Sequence, residues 1–317
     1  MKWEKLGKIF DPTEHILSDG CIEFAQSPQA LVFDDFVRIY FSTRKLDKSG
    51  KFLSYISFVD MDKEFKNIKN ISSSKVIELG KLGCFDEHGV FPLNVLRLND
   101  KRVLGFIGGW NRRVSVSIDG AIGLSISDDN GLSFKRIGDG PIIASSSQEP
   151  FLVGDPFVQI YNKVYHMWYI YGIKWEDATE NEPSARVYKI AHAISDDGIN
   201  WTRDSKCIIE DKYDENECQA LPTVIEINNR FHMYFCYRQN TDFRKNLDRG
   251  YKLGYAYSDD LQNWTRNDNE CGIDVSENGW DSEMMCYPHL FCMDGKTYML
   301  YNGNQFGRNG FGAAVLI

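Results

Sequence analysis

The sequence predicts an all-β chain folded as a five-bladed β-propeller with four-stranded blades, and three observations predict it. A proline-led segment recurs five times, a Ser-Asp-Asp segment recurs in step with it, and the N-terminus offers the strand that the last repeat lacks.

The first repeat is carried by SPQALVFDDFVRIYFSTR, FPLNVLRLNDKRVLGFIGGW, DPFVQIYNKVYHMWYIYG, LPTVIEINNRFHMYFCYR and YPHLFCMDGKTYMLYNGN. Each reads as proline, apolar strand, tight polar turn and aromatic strand, with Asn, Asp and Gly where a turn needs positive φ or side-chain capping. The prolines are Pro28, Pro92, Pro156, Pro222 and Pro288, at spacings of 64, 64, 66 and 66. Repeats starting near residues 23, 86, 150, 216 and 282 fill residues 1–317 as one domain.

The second repeat is carried by AIGLSISDDNGLSFKRI, KIAHAISDDGINWTRD and KLGYAYSDDLQNWTRN. Their aromatics, Phe134, Trp201 and Trp264, lie 67 and 63 residues apart, in step with the prolines. The next aromatic in this series falls beyond the last residue. KWEKLGKIF (2–10) has the form of NWTRDSKCII (200–209), with Trp3 in the place of Trp201. The N-terminal strand is therefore expected to close the fifth blade, which leaves no open sheet edge.

Composition narrows the function. With 43% hydrophobic and 14% aromatic residues the chain buries a full core. A formal charge of −9 argues against a nucleic-acid or membrane-surface binder, since both partners present phosphates. The opening MKWEKLGKIFDP lacks a signal-like apolar region, and no later run approaches about 18 apolar residues. These features predict a cytoplasmic protein. Eight cysteines without CxxC pairs read as reduced thiols, not a structural metal site.

Lettering the strands A to D outward from the axis puts the short A-to-B and C-to-D turns on one face. The links into strand A and the B-to-C loops share the other, which is the expected site. Carboxylates precede the prolines there, among them Glu87, Asp155, Glu217 and Glu283. Basic residues follow strand B: Arg44, Arg112, Arg113, Lys174, Arg238, Arg244 and Arg308. His88 and His289 adjoin strand-A entrances. An acid ring within an arginine ring suits a sugar, with or without a phosphate or carboxylate.

The blade pattern resembles the five-bladed propellers of glycoside hydrolase families 43 and 32 and of the family 130 phosphorylases, over essentially the whole chain. GDPFVQIYNKVYHMWYIYG is similar to the Asp-Pro strand motif of families 43 and 32, and NECQALPTVIEINNRFHMYFCY to the motif of the following blade. The resemblance implies a modulating carboxylate at Asp155 and a general acid at Glu217, with Glu87 and Glu283 as further catalytic candidates. Where those families carry a first-blade Asp, this chain has Ser27. A family 130-like enzyme, which uses phosphate as nucleophile, does without that residue.

The expected function is thus a carbohydrate-active enzyme acting on a glycosidic bond by carboxylate acid/base chemistry. A phosphorylase-like enzyme and a non-hydrolytic binder of sugars or nucleotide sugars in surface-glycan biosynthesis remain alternatives. The expected partner is a carbohydrate or sugar phosphate, with neither nucleic acid nor membrane. No cofactor is expected, and a cation on the axis beside His289 is left open.

Overall fold

A computed structural model describes residues 1–178 and 184–317. Its strands follow the repeats. Strand β1 (Trp3–Phe10) precedes a first group of β2 (Glu23–Val32), β3 (Val37–Leu46), β4 (Phe52–Met61) and β5 (Ile68–Ile71). The second group is β6 (Gly89–Arg97), β7 (Val103–Arg112), β8 (Ile118–Ser127) and β9 (Lys135–Arg136). The third is β10 (Val153–Tyr161), β11 (Val164–Glu176), β12 (Ala185–Ser195) and β13 (Thr202–Arg203). The fourth is β14 (Glu217–Ile227), β15 (Arg230–Gln239), β16 (Lys252–Ser258) and β17 (Thr265–Arg266). Last come β18 (Cys286–Met293), β19 (Lys296–Asn302) and β20 (Phe311–Leu316).

Within each group the strands pair antiparallel in chain order. The first two groups join into one eight-stranded sheet through the parallel pair of Ser54 with Gly89. β1 pairs antiparallel with β20, so its sheet runs β1-β20-β19-β18. The inner strands β2, β6, β10, β14 and β18 each contact the next, and β18 contacts β2. The result is an all-β, propeller-like array of four-stranded sheets about a common axis.

Local chemistry explains the two repeats. In the Ser-Asp-Asp turns the hydroxyls of Ser195 and Ser258 accept from backbone N–H groups, and Asp197 and Asp260 each accept from two more. These aspartates are turn caps, which is why the motif recurs. The outer-strand aromatics pack between sheets, and the Trp3 indole donates to the Tyr234 hydroxyl at 2.8 Å.

The residue before four of the five inner-strand prolines is also special; Phe91, before Pro92, is the exception. Ser27, Asp155, Leu221 and Tyr287 have φ between 48° and 57°, each at a register shift in the inner pairing. Positive φ costs a non-glycine residue about 1 kcal/mol or more. Its recurrence marks a bulge built into the repeat, which re-aims one side chain in each of these strands.

Candidate functional site

A cavity of about 610 Å³ opens among the starts of the inner strands and the β-to-β segments beyond the second strands. Asp155 lies in its wall, and it is 8% exposed. Its bulge turns the carboxyl inward, where the Leu221 N–H donates to Oδ2 at 3.3 Å. No ion pair forms with it among the described residues. Burial pushes its pKa up to about 7, against the weaker opposing pull of that N–H and of Arg186. A carboxyl raised this far keeps its proton well beyond the ordinary carboxylate range, as a general acid requires. Phe91 and Tyr287, which precede Pro92 and Pro288, line the same cavity.

The remaining wall is rich in arginine: Arg44, Arg186, Arg238, Arg244 and Arg308 all line it. Arg308 pairs with Glu23 at 2.7 Å. Arg238 is buried; it donates to the Gln239 carbonyl at 2.7 Å and to the Tyr188 hydroxyl at 2.9 Å. Glu283 faces the cavity from an exposed position, its backbone N–H held by Asn304.

Of the residues expected from sequence, the cavity gathers Asp155, Glu283, Arg44, Arg238, Arg244 and Arg308. It does not gather Glu217. That side chain is fully buried behind the inner strand, where Arg266 donates to it at 2.6 Å, the Lys212 and Tyr213 N–H groups at 2.9 and 3.2 Å, and Gln219 at 3.2 Å. Glu217 occupies one place in a recurring pair: Asp86 with Arg136, Glu149 with Arg203, and Asp281 with Lys5 are its counterparts. In each, the cation stands two residues after the outer-strand aromatic.

The other expected residues also lie off the cavity. Glu87 sits against His88 at 3.1 Å, and His88 stacks beside Trp110. Arg112 pairs with Asp47 at 2.6 Å, Arg113 with Asp119, and Lys174 with Glu176 and Glu215 at 3.5 and 3.7 Å. In each case a nearby carboxylate takes the charge the sequence offered for substrate. His289 is enclosed near the axis by the rings of Phe157 and Phe291. Burial lowers its pKa to about 3, and neither ring nitrogen has a partner. No group of three metal-ligating side chains occurs among the described residues.

Sequence reasoning missed Gln26, Arg186 and Tyr287. Tyr287 stands in the same register as Asp155, one residue before its proline, and the repeat alone could have found it. Arg186 carries no local signal, since it begins a third strand at no repeated motif.

The fold is the propeller-like one shared by several solved glycoside hydrolases. The chain is similar to a solved glycoside hydrolase, with a TM-score of 0.72 and 14% identity over 98% of this chain and 90% of that one. A solved member of the GH130 family of mannoside phosphorylases aligns at TM-score 0.71 and 13% identity, covering 99% and 93%. A thermostable family-43 glycoside hydrolase aligns at 0.65 and 13%, covering 95% and 91%. At such identities the likeness is one of fold. No protein-family model matches the chain.

The chain belongs to the family of the Mycobacterium tuberculosis proteins recorded as Uncharacterized protein MT1551 and Uncharacterized protein Rv1502. Each is 33% identical over 322 residues, covering 100% of this chain and 99% of the relative.

Proposed function

We propose that the chain is a closed five-bladed propeller, completed by its N-terminal strand, that acts on a glycosidic bond. Asp155 is the general acid: its carboxyl proton passes to the glycosidic oxygen as the bond from that oxygen to the anomeric carbon breaks. Glu283 is the second carboxylate, taking a proton from the water that attacks the anomeric carbon. The contacts among the inner strands and the β1–β20 pair support the closed ring.

One observation carries the catalytic reading. Asp155 is buried at the cavity wall with no ion pair among the described residues, and burial brings its pKa to about 7. A carboxyl poised at working pH beside a water-accessible cavity is suited to protonate a leaving oxygen. The family fold and the glycoside hydrolases that share it favour a carbohydrate over other substrates with acid-labile bonds.

The test is turnover on a panel of glycosides by the full chain, with Asp155→Asn and Glu283→Gln compared with the parent. Loss of turnover in Asp155→Asn with an unchanged fold supports the assignment, and retention of turnover sinks it. Ser27, where an inner-strand carboxylate stands in Asp155, favours a second reading as a non-hydrolytic sugar binder. Stoichiometric binding of a sugar without turnover would select it.

A further inference from the structure

The cations of this protein obey a rule that breaks at the cavity. Three lysines or arginines are buried among the described residues: Arg38, Lys189 and Arg238. Arg38 holds Asp60 in a two-pronged pair at 2.7 and 2.8 Å, and Lys189 holds Asp211. Among the described residues Arg238 has no carboxylate partner; its hydrogen bonds run to two carbonyls and a phenol. Burying a charge against neutral dipoles alone is costly. An anion supplied from outside relieves that cost.

The same wall repeats the feature. Arg44 and Arg244 line the cavity and form no ion pair among the described residues. Burial lowers the Arg44 pKa and repulsion from Arg244 adds to the lowering, against the weaker opposing pulls of Tyr287 and Glu23. The Nε atoms of Arg44 and Arg238 are buried with no hydrogen-bond partner, as is Oε1 of Gln26 on the same wall. Arg244 stands close enough to both Arg44 and Arg238 to repel them, and guanidiniums gathered in this way match the oxygens of a phosphate or carboxylate.

The rings tell what the anion is attached to. The Phe243 ring lies between two arginines, 3.7 Å from the Arg238 guanidinium carbon and 4.5 Å from that of Arg244. Arg244 continues over Phe306 at 5.1 Å, and Arg44 lies over Phe24 at 4.8 Å. These rings back the guanidiniums and hold them in place, and the cavity they face is several times the volume of an oxyanion, with Phe91, Trp110, Ile170 and Met284 elsewhere on its wall. A free anion would use the forks and leave that apolar wall bare. A sugar that bears an anionic group uses both.

We infer that Arg44, Arg238 and Arg244 form a subsite for an oxyanion carried on the sugar itself, so that the substrate is a phosphorylated or acidic saccharide. This deepens the glycoside reading and rests on it for the word substrate. In a chain of net charge −9, an unbalanced arginine cluster also selects against neutral saccharides that leave its donors unpaired.

Equilibrium titration tests this on the full-length Asp155→Asn protein, where turnover does not interfere. The probes are glucose, glucose 1-phosphate, glucuronate and inorganic phosphate. At least one anionic sugar is expected to bind about tenfold or more tighter than both glucose and inorganic phosphate. The phosphate and carboxylate arms tell which oxyanion the site prefers. Arg44→Gln and Arg244→Gln should each erase about tenfold of that preference, while the unliganded Tm stays level or rises because an unpaired charge is gone.

Equal binding of glucose and the anionic sugars overturns the inference, as does inorganic phosphate binding as tightly as either. Preference surviving in both variants overturns it too. Failure of the glycoside reading shows separately, as absence of turnover in the parent with the anion preference intact.

Discussion

Asp86, Glu149, Glu217 and Asp281 lie buried behind the inner strands, each against an arginine or lysine, whereas Asp155, nearly as buried, meets only a backbone N–H in the cavity. The arginines divide the same way: those of the outer strands are paired, and Arg238 and Arg44 in the cavity have no carboxylate partner among the described residues. Pairing is architecture, repeated sheet by sheet. Its absence at one place is the mark of a site, because an unpaired buried group is kept only where something else meets it.

Backbone strain does not make this distinction. Ser27, Leu221 and Tyr287 share the positive φ of Asp155. The bulge belongs to the fold, and what differs at Asp155 is the side chain it aims.

The comparison is open to direct attack. The largest effect is expected from Asp155→Asn, which should lower kcat/KM on a responsive glycoside by about 10²–10⁴-fold without loss of stability. Retained turnover would abolish the contrast. Glu217→Gln should do the reverse, costing about 1–3 kcal/mol in urea unfolding because Arg266 loses its buried carboxylate and keeps only that of Asp268 at 3.1 Å. A fall in turnover with unchanged stability would return Glu217 to the chemistry.

The pH response sharpens the same point. At pH below 3.8, the usual value, folded and unfolded chains both hold the Asp155 proton. As pH rises toward about 7 the unfolded chain releases it first, so stability is lost across that window, by up to about 4 kcal/mol. Asp155→Asn should lack this loss, and the difference between the two unfolding curves measured from pH 4 to 8 reads it directly. In kinetics, kcat/KM should fall as pH rises through about 7.

Smaller effects come from the edges. Lys5→Met removes the cation of Asp281 and should cost about 1–2 kcal/mol, seen first as faster amide exchange in β1 and β20. Arg308→Gln breaks an exposed pair with Glu23 and should leave the unfolding midpoint where it was.

The repeats made much of this legible. Proline spacing located the inner strands, and the Trp3 match anticipated the pairing of β1 with β20. The sequence also held an unused warning about Glu217. Arg136, Arg203, Arg266 and Lys5 stand at one register two residues beyond Phe134, Trp201, Trp264 and Trp3, and each meets an acid five to seven residues before a proline. Asp155, directly before its proline, was never part of that series.

The sequence by itself determined the strand order, the register marks and the place of Asp155 at the entrance of an inner strand, because these follow from local periodicity. Only the tertiary structure decided which charges are spent on each other. Arg112 finds Asp47 across 65 positions, and Glu217 finds Arg266 across 49. Arg238 finds no carboxylate among the described residues. Such matches depend on where separate strands converge in space, and a linear pattern of acids and bases does not carry that distance.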